Sequence, residues 1–120
     1  MKKAIHKTIF TITIILITGL LFINNAEGQT TYYSRATGGW TTNTTWSLTS
    51  GGAAVGAGIY PLSGDIVNIE GGFNVNIPAS TNATCATLNI TSSNAGNGTL
   101  TFNNGSSLAV SANITVGTVG

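Results

Sequence analysis

The segment DIVNIEGGFNVNIP, residues 65–78, decides the fold because apolar and polar residues alternate through both of its halves. Val67 and Ile69 form the first apolar pair, and Val75 and Ile77 form the second. A period of two places alternate side chains on the same face of a β-strand, and the two glycines between the pairs favour a turn. The segment therefore predicts two short strands, each with one buried face.

Similar apolar pairs continue downstream at a regular distance. The interval from Ile69 to Ile90 is nearly equal to the interval from Ile90 to Val110. A period of about 20 residues with two or three short strands per period is typical of a solenoid. Residues after 28 show no convincing helical period, so the predicted fold class is all-β, as a short parallel β-helix. The downstream pairs are Leu88/Ile90, Leu100/Phe102, Leu108/Val110 and Ile114/Val116, with breaks at residues 94–98, 103–106 and 111–113. The second pair of each period is Val75/Ile77, then Leu100/Phe102, then Ile114/Val116.

A β-sandwich is the alternative architecture, since it also contains short alternating strands separated by frequent turn signals. The polar residues at outward positions favour the β-helix. Stacked coils would align them in ladders that satisfy amides and hydroxyls without charge. These outward residues include Asn68, Asn76, Asn89, Thr101 and Thr115.

Residues 1–28 have the pattern of a secretory signal peptide. Three lysines precede an uncharged apolar run from Thr8 to Ile23, and Ala26 and Gly28 provide the small residues of a cleavage site. The apolar run is shorter than the roughly 20 residues that a spanning helix needs. We therefore predict a protein that is secreted or held at the outer cell surface, with no membrane insertion after cleavage.

Little charge remains after residue 28, where Arg35, Asp65 and Glu70 are the charged residues. No basic patch is available to neutralise phosphates, so nucleic acid is disfavoured as a partner. The remaining length suits one small domain. We divide it into an aromatic N-terminal cap with a Gly/Ala-rich loop, residues 29–58, and an incomplete set of β-solenoid coils, residues 59–120.

Catalysis and metal binding have few candidate residues. Asp65 and Glu70 have opposite parity in the strand pattern, so a continuing strand would point them to opposite sides. Asp65 follows a glycine and is expected to accept backbone N–H groups in a turn. Cys85 is the sole cysteine, and we expect it to be a small buried hydrophobe. The sequence therefore predicts no enzyme, no metal site and no cofactor.

The aromatic residues of the predicted cap are the candidate binding residues. Tyr and Trp rings can stack on sugars while their polar atoms form hydrogen bonds. The other interpretation is that the tryptophans cover the open end of the first coil. The candidates for a glycan site are Tyr32, Tyr33, Trp40 and Trp46.

The chain resembles a family of bacterial surface proteins exported by the type IX route. The resemblance rests on TYYSRATGGW at residues 31–40, TTWS at residues 44–47, the spacing of Pro61, Gly64, Asp65, Val67 and Ile69, and CATLNI at residues 85–90. It implies an N-terminal cap, akin to the G8-type module, that leads into a right-handed β-helix and adhesin-like repeats. This chain departs from that pattern in lacking downstream repeats and a C-terminal sorting domain.

The expected function is therefore that of a structural or adhesive β-helix module without catalytic activity. The alternative is a carbohydrate-binding module that uses the Tyr and Trp cluster. Expected partners are surface polysaccharide or other surface proteins. The last coil ends without a polar cap, and an exposed strand edge recruits another strand. We therefore expect either that the chain continues beyond Gly120 or that it associates end to end.

Overall fold

The structure is a computed structural model that describes residues 28–118. The predicted signal peptide, apart from Gly28, lies outside the described residues. The described chain consists of strands and turns with one short 3-10 helix at Asn43–Thr45, which confirms the all-β prediction. The strands are β1 (Thr31–Ser34), β2 (Gly38–Gly39), β3 (Trp46–Ser47), β4 (Ile66–Ile69), β5 (Asn74–Ile77), β6 (Asn82–Ser93), β7 (Gly96–Asn97), β8 (Thr99–Phe102) and β9 (Ser107–Thr118).

The larger sheet is mixed, with the order β3-β1-β4-β6-β7, and β9 also pairs with β6. Parallel pairs join β1 to β4, β4 to β6 and β6 to β9. Two short antiparallel pairs, β1 with β3 and β6 with β7, complete the sheet. The parallel pairs require the chain to leave the sheet and return between successive strands.

Between successive strands of the larger sheet, the chain passes through the smaller sheet. Its order is β2-β5-β8, and both of its pairs are parallel. Val75 lies opposite Leu100, and Ile77 lies opposite Phe102. The predicted strands at these two apolar pairs are therefore confirmed, together with their correspondence.

The register of the larger sheet stacks inward side chains in columns. Tyr32 pairs with Val67, Val67 with Leu88, and Leu88 with Ile114. Together with Trp40 and Trp46, these columns supply most of the buried core. The core residues are Tyr32, Trp40, Trp46, Val55, Val67, Ile69, Val75, Ile77, Ala83, Cys85 and Leu88.

The predicted period of about 20 residues is right for the interval from Ile69 to Ile90 and wrong for the interval from Ile90 to Val110. Ile69 lies opposite Ile90, as the predicted period requires. Ile90, however, lies opposite Val116 and not opposite Val110, which pairs with Cys85 instead. Ile114 and Val116 therefore belong to the larger sheet and are not equivalent to Leu100 and Phe102.

The cause is that β9 is a single 12-residue strand. Between Cys85 and Thr87 the register shifts, so that two steps along β6 match three steps along β9, from Val110 to Asn113. An extra residue of this kind is accommodated as a β-bulge without ending the strand. The predicted break at residues 111–113 is therefore wrong.

The predicted cap and the predicted coils share both sheets. β1 pairs with β4, and β2 pairs with β5. The loop that follows β3 is also better anchored than its Gly/Ala composition indicates, because Val55 is buried and its N–H donates to the Trp46 carbonyl at 3.1 Å. Among residues 28–118, no helix has the length and apolar character needed to cross a membrane.

Candidate functional site

Three of the four predicted binding residues meet in one cluster at the first strands of the two sheets. Tyr32 points inward from β1, and Trp46 begins β3, which pairs with β1. Trp40 follows β2 directly, and its backbone N–H donates to the Asn76 carbonyl at 2.8 Å. We call Tyr32, Trp40 and Trp46 the aromatic cluster. Short strands from both sheets thus bring together residues that are separated along the chain.

The rings of the aromatic cluster pack edge to face. The centroids of Trp40 and Trp46 are 5.4 Å apart with an interplanar angle of 76°. Those of Tyr32 and Trp46 are 6.4 Å apart with an angle of 74°. Such pairs contribute about 0.5–1.5 kcal/mol each beyond the area that they bury. The cluster is therefore an energetically important part of the core.

The indole N–H groups of the cluster are satisfied within the protein. Trp46 Nε1 donates to the Trp40 carbonyl at 2.7 Å, and Trp40 Nε1 donates to the Pro61 carbonyl at 3.2 Å. The exposed fractions are 6% for Tyr32, 1% for Trp40 and 0% for Trp46. A ring without an exposed face cannot stack on a sugar from solution. This geometry supports the covering role for the two tryptophans and not the glycan role.

Tyr33 is placed apart from the other three candidates. Because side chains alternate along a strand, it points to the side of β1 opposite to Tyr32. It is half-buried and lies in register with Ser47 and Asn68. It is therefore the one member of the predicted site that keeps accessible ring surface.

A groove of about 530 Å³ lies beside the aromatic cluster, between β1, β3 and the Gly/Ala-rich loop. Leu48 and Ile59 on its walls are exposed. The loop is held by Asn43, whose Nδ2 donates to the Val55 carbonyl at 3.0 Å, and by Arg35, whose Nε donates to the Gly52 carbonyl at 3.0 Å. Arg35 thus fixes the loop through backbone carbonyls.

Asp65 acts as a turn anchor, as the sequence predicts. Its carboxylate accepts the backbone N–H of Leu62 at 2.8 Å and that of Thr30 at 3.1 Å. The preceding Gly64 has a φ of 94°, a conformation that glycine adopts without strain. The Asp65 carbonyl also accepts the N–H of Ala86 at 2.8 Å. One residue therefore links the start of β1, the turn before β4 and the middle of β6.

Cys85 is buried in the core, in agreement with the prediction. Burial, with a smaller contribution from the negative charge of Asp65, raises the pKa of its thiol from 9.0 to about 11. The same two causes raise the pKa of the Tyr32 phenol. Because the thiolate is the reactive form, Cys85 is protonated and unreactive at neutral pH.

Polar ladders follow the parallel strands, as the outward asparagines predict. Asn89 Nδ2 donates to Asn68 Oδ1 at 2.9 Å, and Asn68 Nδ2 donates to the Tyr32 carbonyl at 3.3 Å. Thr115 is next to Asn89 in the register. In the smaller sheet the hydroxyl of Thr101 donates to Asn74. Among the residues described, every buried side-chain N or O atom has a hydrogen-bond partner.

The opposite end of the core is open. Ile114 and Val116 on β9 are 63% and 72% exposed, and Phe102 on β8 is 54% exposed. A groove of about 400 Å³ lies there, with Ile90, Val116 and Gly98 among its lining residues. We call the solvent-facing edge of β9, with these apolar side chains beside it, the open edge. The sequence predicts such an edge, but only the register shows which side chains lie along it.

The described part of the chain contains no cluster of three or more His, Cys, Asp or Glu side chains that could hold a metal ion. Comparison of the chain with protein-family models, with curated proteins and with solved structures found no match.

Proposed function

We propose that the chain is an exported structural or adhesive module without catalytic activity, built as a short parallel β-helix. The observation that supports this most directly is the parallel register from β1 through β4 and β6 to β9, accompanied by β2, β5 and β8 in the smaller sheet. In a β-helix, each coil gives one strand to each sheet, so equivalent strands stack in parallel. The aromatic cluster then covers the core at the first coil.

The arrangement of the ionisable side chains supports a role without catalysis. Both carboxylate oxygens of Asp65 are engaged by backbone N–H groups. The Cys85 thiol is buried with a raised pKa. General acid–base catalysis needs a group within reach of a substrate proton, and these side chains are used in holding the strands together. Surface recognition is therefore the better-supported role.

Export is supported by the signal-peptide pattern in residues 1–28 and by the sparse charge after it. The test is to express the full chain in a bacterial host and to determine the N-terminus and the cell fraction of the product. We expect an exported product that begins at Gln29. A product retained in the cytoplasm with Met1 intact would rule out export.

The absence of catalysis is tested separately on the purified chain. Incubation with a panel of polysaccharides, acidic ones included, should release no new reducing ends, whereas the chain should be retained on at least one polysaccharide or surface-protein matrix. Release of reducing ends that is abolished in Asp65→Asn or Glu70→Gln would contradict the proposal. Absence of retention on every matrix would remove the adhesive role and leave the structural one.

A second candidate function is glycan binding through Tyr33. The supporting observation is that Tyr33 keeps accessible ring surface, while the rest of the predicted site is buried. If this site operates, Tyr33→Ala should abolish retention on the polysaccharide and Tyr33→Phe should preserve it, because stacking needs only the ring. Tryptophan fluorescence should not change, since both indoles are covered. Equal retention of all three proteins would exclude Tyr33.

A further inference from the structure

The open edge has the properties of an unprotected β-strand. Among the described strands β9 pairs with β6 alone, which leaves the other side of a 12-residue strand available. Natural edge strands are protected by lysine, by proline, by β-bulges or by being short. β9 is long, and its one register shift lies at its centre, opposite Cys85 to Thr87. The sequence SLAVSANITVGT of β9 contains no proline and no charged residue. Its length and neutrality therefore favour pairing with another strand.

The four large apolar side chains of β9 continue the core. Leu108 and Val110 stack on Ala83 and Cys85 in the register, and Ile114 stacks on Leu88. Val116 stacks on Ile90 in the same way. These four residues of β9 therefore lie on the core side of the sheet, and any strand added to β9 would have to cover them.

The positions of these four residues are symmetric about Ala112. Leu108 and Val116 lie equally far from it on either side, and so do Val110 and Ile114. If a second β9 pairs in the antiparallel direction with Ala112 opposite itself, Leu108 meets Val116 and Val110 meets Ile114. Each of these four large apolar side chains then lies opposite another of them, and no charges meet.

The strand is also compatible with a two-fold axis at this position. The register shift between Cys85 and Thr87 falls opposite residues 111–112, so the irregularity lies at the centre of the pairing and the two regular arms lie on either side. An antiparallel pair over these arms supplies backbone hydrogen bonds of the order of the roughly ten found in a typical interface. The exposed Phe102 of β8 lies at the same end of the core.

The other end of the sheet does not offer a matching surface. β1 is held between β3 and β4, and the outermost strand, β3, has only two residues. In the smaller sheet, the first strand, β2, consists of two glycines. A head-to-tail stack of copies would need a free strand there to receive β9. A two-fold contact uses the same edge twice and closes the assembly at two copies.

We propose that the open edge binds a second copy of this chain, forming a dimer through antiparallel β9–β9 pairing about Ala112. The dimer covers Ile114 and Val116, which are exposed at this end of the core. Strand pairing and side-chain placement alone would hold the two copies together, whether or not the module is exported.

Sedimentation velocity of the full chain tests the association. We expect a monomer–dimer equilibrium that reaches the dimer and does not continue to larger species. Ile114→Lys should be monomeric at concentrations at which the unchanged chain is dimeric, because a charge would be placed in an apolar contact. Leu48→Lys is the matched control, since it changes an exposed apolar residue at the other end and should leave the dimer intact.

Disulfide crosslinking tests the register. In a Cys85→Ala background, Ala112→Cys should form a disulfide-linked dimer on mild oxidation, because the two β-carbons face one another across the axis. Ser107→Cys should not link to itself, since it would face Gly117 of the other copy. Circular dichroism should show unchanged β content for every variant.

Three results of these experiments would contradict the proposed dimer. A chain that stays monomeric at all concentrations overturns the proposal. A dimer that is linked at Ser107→Cys and not at Ala112→Cys overturns the antiparallel register. Species that grow with concentration beyond the dimer overturn the closed two-fold contact in favour of open stacking.

Discussion

The two ends of the larger sheet carry similar apolar side chains in very different surroundings. Ile69 on β4 has no exposed surface, whereas Ile114 on β9 is 63% exposed. Both point to the core side of the same sheet. The difference arises because, within residues 28–118, β4 has a strand on each side, while β9 has a strand on one side only. Burial in this fold is therefore conferred by the next strand in the stack rather than by the side chain itself.

The two ends of the larger sheet also differ in the side chains that lie over the core. At the first strands, the aromatic cluster supplies large rings and satisfied indole N–H groups. At β9 the described chain supplies only medium-sized aliphatic side chains and a free strand edge. One end thus contributes to folding stability, whereas the other exposes apolar side chains among the described residues. The following variants measure that division.

The largest difference is expected between two isoleucines. Ile69→Ala should lower the free energy of unfolding by about 2–5 kcal/mol, because it leaves a cavity in a packed core. Ile114→Ala should change it by no more than about 0.5 kcal/mol, as is usual for an exposed residue. Urea denaturation at a dilute concentration, at which the chain is monomeric, compares the two variants. Equal losses would show that β9 is covered in the monomer.

A pair of glycines gives the next largest difference. A β-carbon on Gly98 would lie 2.6 Å from the Ile69 carbonyl oxygen and 2.8 Å from that of Thr91, whereas one on Gly117 would meet nothing within 4 Å. Gly98→Ala should therefore cost about 1–3 kcal/mol through overpacking against backbone. Gly117→Ala should leave the melting temperature unchanged within about 1–2 °C, consistent with a change of a few tenths of a kcal/mol. A tolerated Gly98→Ala would place β7 and β8 further from β4 than described.

Two asparagines test the polar ladder. Asn68→Ala removes the acceptor for Asn89 and the donor to the Tyr32 carbonyl, which should cost about 1 kcal/mol. Asn113→Ala changes an exposed residue on β9 and should have little effect. Thermal unfolding of Asn68→Ala, Asn113→Ala and Asn68→Asp measures how much the polar ladder contributes to the free energy of unfolding. If Asn113→Ala costs as much as Asn68→Ala, the ladder does not distinguish the two ends.

The smallest expected effect is a loss of folding stability that appears only at alkaline pH. The folded-state pKa of Cys85, about 11, lies above the ordinary value of 9.0. The folded state therefore holds the thiol proton more tightly, and its stability should fall as the pH rises from about 9 to about 11. Below pH 9 the thiol is protonated in both states and contributes no pH dependence. Cys85→Ala should make the fall in stability less steep in this window, and the fall that remains comes from Tyr32, whose pKa is also raised in the folded state.

The control for the pH experiment is the reaction of Cys85 with a thiol reagent. At pH 8 the folded chain should react slowly, and the reaction should become fast in denaturant. Rapid reaction of the folded chain at pH 8 would contradict both the burial of Cys85 and its raised pKa.

Alternation of apolar and polar residues is enough to predict the all-β class and the match of Ile69 with Ile90. It is also enough for the correspondence of Val75 with Leu100, because both pairs stand in short strands between clear turn signals. It fails at β6 and β9. The first residues of β6, Asn82 to Thr84, give no strand signal, yet their backbone pairs with Ser107 to Ala109 of β9.

Prediction from the sequence is limited in the same way at the candidate site. Composition identifies Tyr32, Trp40 and Trp46 as the notable side chains, but composition does not distinguish a ring that stacks on a sugar from one that stacks on another ring. The burial of the cluster depends on β3 folding back on β1 and on the loop around Val55. These contacts join residues that have no local signal in common.

The sequence by itself determined the β-strand character, the turn at Asp65 and the burial of Cys85. Each follows from local pattern or from the chemistry of a single residue. Only the tertiary structure decided which strands stack, where the register shifts and which aromatic faces are covered. The physical reason is that backbone pairing is nearly independent of side-chain identity, so β9 can take up one extra residue against β6 and still continue as one strand.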